Sequence, residues 1–114
     1  MATFEATTSP VTFAHMEGTT KTVFVVPRTL RFDMVTSGDR IEFEHLGSIT
    51  IGAVRRYTQL EELLEAQGFQ NVVPDAETIE DAVEAVRRTP DWDRKVEESK
   101  GVMAMRVRST KRKS

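Results

Sequence analysis

The β-strand signal of this 114-residue chain is concentrated in residues 18–57. Beyond Tyr57 the chain reads as helix until one strand returns near the C-terminus. A run of strands, a run of helices and a single strand back point to an α+β domain. Residues 20–26 form the strongest strand, β-branched around Phe24 and without a breaker before Pro27. Alternation puts Lys21, Val23 and Val25 on one face and Thr22, Phe24 and Val26 on the other. Residues 28–37 read as a loop carrying Arg28 and Arg31, and Ser37, Gly38 and Asp39 as a turn. Residues 40–44 form a strand with Ile41 and Phe43 inward. Residues 48–57 return as another, in which Gly52 marks a bulge or a close approach by another group.

The helical half carries its own start and stop signals. Thr58 and Glu61 have the spacing of a capping box ahead of Leu60, Leu63 and Leu64, and Gly68 suits a left-handed cap. Thr78 and Asp81 suggest a second cap, before Ile79, Ala82, Val83 and Val86 at helical spacing. Pro90 can open a third helix that runs past Trp92 to Gly101. Residues 102–108 close the domain as a strand, with Met103, Met105 and Val107 on one face. Residues 11–16 alternate as a short strand would, and residues 13–17 fit a short helix equally well. Residues 1–10 read as a flexible arm, 11–108 as the single domain and 109–114 as a basic tail.

Charge divides along the same lines. Residues 20–56 hold six Lys/Arg against four Asp/Glu, residues 57–98 four against twelve, and six Lys/Arg with no acid follow Glu98. A mildly basic sheet, acidic helices and a basic end suit an anionic ligand on the sheet, which the helices repel from the rest of the surface. The acidic stretch 58–98 is also a candidate surface for a protein partner. With no cysteine, disulfides and thiolate metal sites are excluded, and two histidines are too few for a metal cluster, so neither metal nor cofactor is expected. No apolar run approaches the roughly 20 residues of a membrane span. Without a leader-like N-terminus, a cytoplasmic location and no membrane association are expected.

Several pieces, in order, resemble the ASCH domain of the PUA-like superfamily. Gly18, Lys21 and Arg28 resemble the family's glycine, lysine and arginine signature. Gly38, Asp39, Arg40 and Ile41 resemble its glycine-aspartate entry to a strand. Residues 51–56 and 60–69 resemble its strand, helix and glycine-phenylalanine step, and residues 101–107 its closing strand. Two residues separate glycine from lysine here, and six separate lysine from arginine, where the family commonly has one and four. The resemblance implies a small β-barrel of about five or six strands with two or three packed helices. It also implies a cleft beside the Lys21 strand that binds RNA or a modified nucleoside. Lys21, Thr22, Phe24, Arg28 and Arg31 are the candidate ligand-binding residues, with the cations on phosphate and Phe24 or Tyr57 stacking on a base. One branch of the family hydrolyses N4-acetylcytidine with a lysine, a threonine three residues on, and a glutamate near a helix end. Lys21 stands at the first position, but Phe24 and Gln67 stand at the others. If the chain is a hydrolase, deacetylase-like or ribonuclease-like, Lys21 and Thr22 are the catalytic candidates.

Overall fold

In the computed structural model, which describes residues 1–113, five strands form one curled sheet in the order β1-β3-β4-β5-β2. The strands are β1 (Thr3–Ala6), β2 (Val23–Pro27), β3 (Arg40–Phe43), β4 (Gly47–Tyr57) and β5 (Val102–Arg112). All pairings are antiparallel except β1 with β3. The sheet curls as a half-barrel, and β1 and β2 are its two edges. Five helices accompany it: α1 (Pro10–Glu17), α2 (Leu60–Gln67), α3 (Phe69–Val72), α4 (Ile79–Arg87) and α5 (Arg94–Lys100).

The alternation expected for the Lys21 strand organises the core. Phe24 and Val26 join Ile41, Phe43, Ile49, Ile51, Met103 and Met105 on the inner face of the curl, where Phe13 and Met16 of α1 and Phe32 and Val35 of the following loop fill the concavity. Val23 and Val25 face the other way. They meet Leu60, Leu63 and Leu64 of α2, Val72 of α3, and Ala82, Val83 and Val86 of α4. The leucine stripe of α2 therefore faces the sheet, and the alanine-valine stripe of α4 packs against α2 and α3 in the same apolar cluster, as helical spacing requires.

Several segments differ from the sequence reading. The arm is not free: residues 3–6 are β1, with Phe4 and Ala6 packed on the inner cluster. The buried carboxylate of Asp39 accepts the Ala2 amide at 2.9 Å, and Arg31 holds the Glu5 carbonyl at 2.8 Å. These nonlocal anchors are why a strand of only four residues near the chain's end holds. Residues 10–17 resolve the strand-or-helix alternative as helix, with Ser9 capping the Thr12 amide and Pro10 in the first turn. The strand after it begins only at Val23, because the Thr20 and Lys21 amides turn back to the His15 carbonyl. Thr58 is not the cap of α2. Gln59 occupies that position and Thr58 bonds the Glu62 side chain instead. Thr78 caps α4 as expected, through the Asp81 amide at 3.1 Å. The third expected helix starts at Arg94 rather than Pro90, capped by Asp93. Residues 69–72, beyond the expected cap at Gly68, make the short helix α3. Strand β5 runs to Arg112, through most of the expected tail, because residues 109–112 pair with Gly47–Thr50 at the start of β4.

Candidate functional site

The structure does not bring the candidate residues to one cleft. Lys21 points to the helix-covered face and is buried. Its Nζ donates to the Val72 carbonyl at the end of α3 at 2.5 Å, and burial pulls the amine down to about 7. Thr22 is half-buried, with its amide on the Asn71 carbonyl and its own carbonyl accepting from the Val107 amide. Phe24 packs edge-to-face on Phe43 with ring centroids 5.3 Å apart, inside the core. Arg28 and Arg31 sit beyond the other end of β2, about 20 Å of extended chain from Lys21. Arg28 donates through Nε to Asp33 at 2.8 Å, and Arg56 donates to the same carboxylate at 2.7 Å. Those two guanidiniums hold the Asp33 carboxyl down at about 2. Arg31 lies 4.6 Å over the Phe32 ring, its guanidinium bonded to Glu5. Gln67, at the glutamate position of the hydrolase pattern, bonds the Tyr57 hydroxyl at 2.9 Å.

Two features remain that can meet a ligand. One is a cleft of about 1130 Å³ along the seam where β1 and β2 fail to close the sheet. Its lining includes Ala6 and Phe24 from the two edges, Arg31, and Asp91 and Trp92 from the turn before α5. A hydrogen bond from the Thr7 hydroxyl to Asp91 at 3.1 Å ties the two walls together. Of the five candidates, Phe24 and Arg31 line this cleft, whereas Lys21, Thr22 and Arg28 do not.

The other feature is a basic sheet face that no single stretch of the sequence assembles. Residues paired across an antiparallel ladder share a face. Val23 pairs with Arg106, and Ala104 pairs with both Val25 and Arg55, so Arg55 and Arg106 stand on the side that the helices cover further up. Ser48 pairs with Lys111 next to inward Ile49, which places Lys111 on that same side. Between them lies Gly52. A Cβ built there would touch the Arg106 and Arg108 Cβ atoms at 3.7 and 3.8 Å, so both arginine stems rise beside this buried, bare position. The register shifts on both sides of Ile51, so the ladder is irregular beside Gly52, where a bulge or a close approach was expected. Arg55, Arg106, Arg108 and Lys111 are all exposed, and among the described residues none forms an ion pair. Arg108 donates to the Ser37 hydroxyl at 2.8 Å, which orients it without neutralising it. Arg40 joins the edge of the patch, bonded to Ser48 and 3.7 Å from Glu42. The signal for this face is present in the chain: Arg106 and Arg108 alternate with Met103, Met105 and Val107.

No family model and no curated protein matches the chain. Two solved structures share its architecture over nearly the whole length. The crystal structure of the hypothetical archaeal protein PH0355 superposes with a TM-score of 0.85 at 24% identity, covering 97% of this chain and 100% of that one. The solution structure of protein PF0455 from Pyrococcus furiosus gives 0.76 at 24% identity, covering 95% and 96%. The fold is shared. At this identity the likeness speaks to the fold alone. No helix among the described residues is long and apolar enough to cross a membrane.

Proposed function

We propose that the protein binds RNA, holding its phosphates on the basic face of the sheet. The observation that carries this reading is the set of four cations, Arg55, Arg106, Arg108 and Lys111, gathered on an uncovered stretch of sheet without carboxylate partners. Cations already paired within a protein have little to offer a ligand, and these are free to release counterions from a phosphate backbone. Arginine adds bidentate geometry toward phosphate oxygens. The resemblance to the ASCH and PUA-like domains supports RNA as the nucleic acid. Phosphate contacts of this kind position a ligand and do not read its sequence.

The test is a titration of a fluorescent RNA with wild-type protein and with the double variant Arg106→Glu/Arg108→Glu. Reversing two exposed charges leaves both cores untouched, so the variant folds, and its affinity at moderate salt falls by at least ~10-fold. Equal affinity of the folded variant would refute the assignment.

A second reading keeps the modified nucleoside in the seam cleft, favoured by Phe24 and Arg31 in its lining. It expects saturable binding of free N4-acetylcytidine that survives the double charge reversal. A hydrolytic role for Lys21 and Thr22 draws no comparable support, since the Lys21 amine is bonded to a backbone carbonyl and neither residue lines the cleft.

A further inference from the structure

We infer that the basic face contains one built phosphate seat, above Gly52, in which Arg106 and Arg108 are the donors and Ser37 is the residue that holds Arg108 in position. This rests on the RNA reading above and concentrates its phosphate contact at one point of the face. The choice of glycine at position 52 carries the inference. The backbone does not require it, since Gly52 is not among the residues with positive φ. Space does not require it either. A Cβ built there meets its nearest atoms at 3.6 to 3.8 Å, which is ordinary contact. Glycine also weakens a strand interior, and a glycine kept there marks a bulge or a close approach by another group. What it leaves here is a bare, buried floor beside two cationic stems, those of Arg106 and Arg108. Two like charges beside one floor repel each other until an anion enters between them.

The course of Arg108 agrees. The Gly38 amide donates to the Ile51 carbonyl at 2.7 Å and the Ile51 amide to the Asp39 carbonyl at 2.8 Å, so the turn before β3 lies along β4. Arg108 stands on β5, on the opposite side of β4. To reach the Ser37 hydroxyl it crosses β4 beside Gly52, where no side chain blocks it. Ser37 is itself fixed, because the turn closes through the Thr36 amide on the Asp39 carboxylate at 2.9 Å and the Asp39 amide on the Thr36 carbonyl at 3.1 Å. A guanidinium tethered through one nitrogen to a neutral acceptor keeps its full charge and its other N–H donors for a ligand. It has also lost its side-chain freedom before the ligand arrives, which lowers the entropy cost of binding.

The deciding experiment titrates a fluorescent RNA with the full chain and with variants that leave every charge in place. Ser37→Ala removes the tether, and Gly52→Val raises the floor under Arg108. Each is expected to weaken binding by at least ~5-fold. The salt slope should stay at the wild-type value, because the number of cations is unchanged. Ser37→Thr, which restores a hydroxyl, should recover the affinity. In an Arg108→Gln background Ser37→Ala should add no further loss, which a merely structural role for Ser37 does not predict. Ser37 is exposed, so its truncation tests the seat even where Gly52→Val shifts the unfolding midpoint. Wild-type affinity in Ser37→Ala or in folded Gly52→Val overturns the seat. So does an equal loss from Ser37→Ala with and without Arg108. Either result leaves the RNA reading standing, with affinity spread over the four cations. Failure of the wild-type protein to bind RNA overturns both.

Discussion

Lys21 shows how far a residue's fate can lie from its local pattern. Its strand face was legible, since Lys21, Val23 and Val25 do share a side. What covers that face was not, because the carbonyl that meets Nζ belongs to Val72, 51 positions away in a helix the sequence did not announce. The amine is buried against one acceptor and sits near 7, while in the unfolded chain it keeps a lysine's ordinary high value. Between those two values the unfolded chain holds the proton and the folded one does not, so this group makes stability rise with pH across that window. Its cost is fully present below about 7. Lys21→Met is therefore expected to be at least as stable as wild type at pH 6. It should also flatten the stability profile between pH 7 and 10 by up to ~1.4 kcal/mol per pH unit, read by urea unfolding at several pH values. A variant that is less stable at pH 6 and keeps the wild-type slope would show that the amine is not buried as described. Glu97 is the opposite case, a buried carboxylate fully engaged by Arg87 at 2.6 Å, the Trp92 indole at 2.9 Å and Arg94 at 3.3 Å. Its shift is downward because those donors outweigh the burial that opposes it. Glu97→Ala strands the half-buried guanidinium of Arg87 and should cost ~2–3 kcal/mol, with a change in Trp92 fluorescence before global unfolding. No change in either signal would contradict the three-way contact.

Among the elements, the ends of the sheet were the hardest to read. β1 has four residues and two of them are half-exposed, so no window of the sequence marks it as a strand. It exists because Asp39, Phe32 and Arg31 receive it: an amide on the Asp39 carboxylate, a ring on Phe32 at 6.2 Å, and a carbonyl on Arg31. Asp39→Ala removes the acceptor of both the Ala2 and Thr36 amides and is expected to cost ~1–3 kcal/mol. Amide exchange should accelerate first in β1 and around Thr36; uniform acceleration across the sheet would argue that β1 is not an independent edge. At the other end, β5 overran its expected boundary because a charged tail looks like a soluble one until Gly47–Thr50 is seen to pair with it. That extension carries Lys111 onto the basic face, so the expected boundary also hid part of that face. The helix stripes and the Thr78 cap were legible, since both are local patterns with fixed spacing.

At the scale of the whole molecule, the division of charge by segment becomes a division of surface. The acidic stretch forms helices over one part of a sheet face, and the basic residues that come after it return as β5 to the uncovered part of that face. Sequence counting foresaw a basic sheet beside acidic helices. The cations it singled out, Lys21, Arg28 and Arg31, are bonded within the fold, because charge alone does not show which cations will find internal partners. Arg28 and Arg56 are taken by Asp33, Arg87 by Glu97 and Arg112 by Glu17, which leaves Arg55, Arg106, Arg108 and Lys111 without acid partners among the described residues. The half-barrel itself, open at the β1–β2 seam, arises from strands that each had a local signal except the first. The central claim, that the free cations of β4 and β5 hold a nucleic-acid backbone, is tested most directly by a salt titration of RNA binding. Wild type is compared with Arg106→Glu/Arg108→Glu, and both are checked for identical unfolding midpoints. The account predicts that log affinity falls linearly with log salt for wild type, and that the variant binds at least ~10-fold more weakly with a shallower slope. Parallel lines of equal affinity would contradict it.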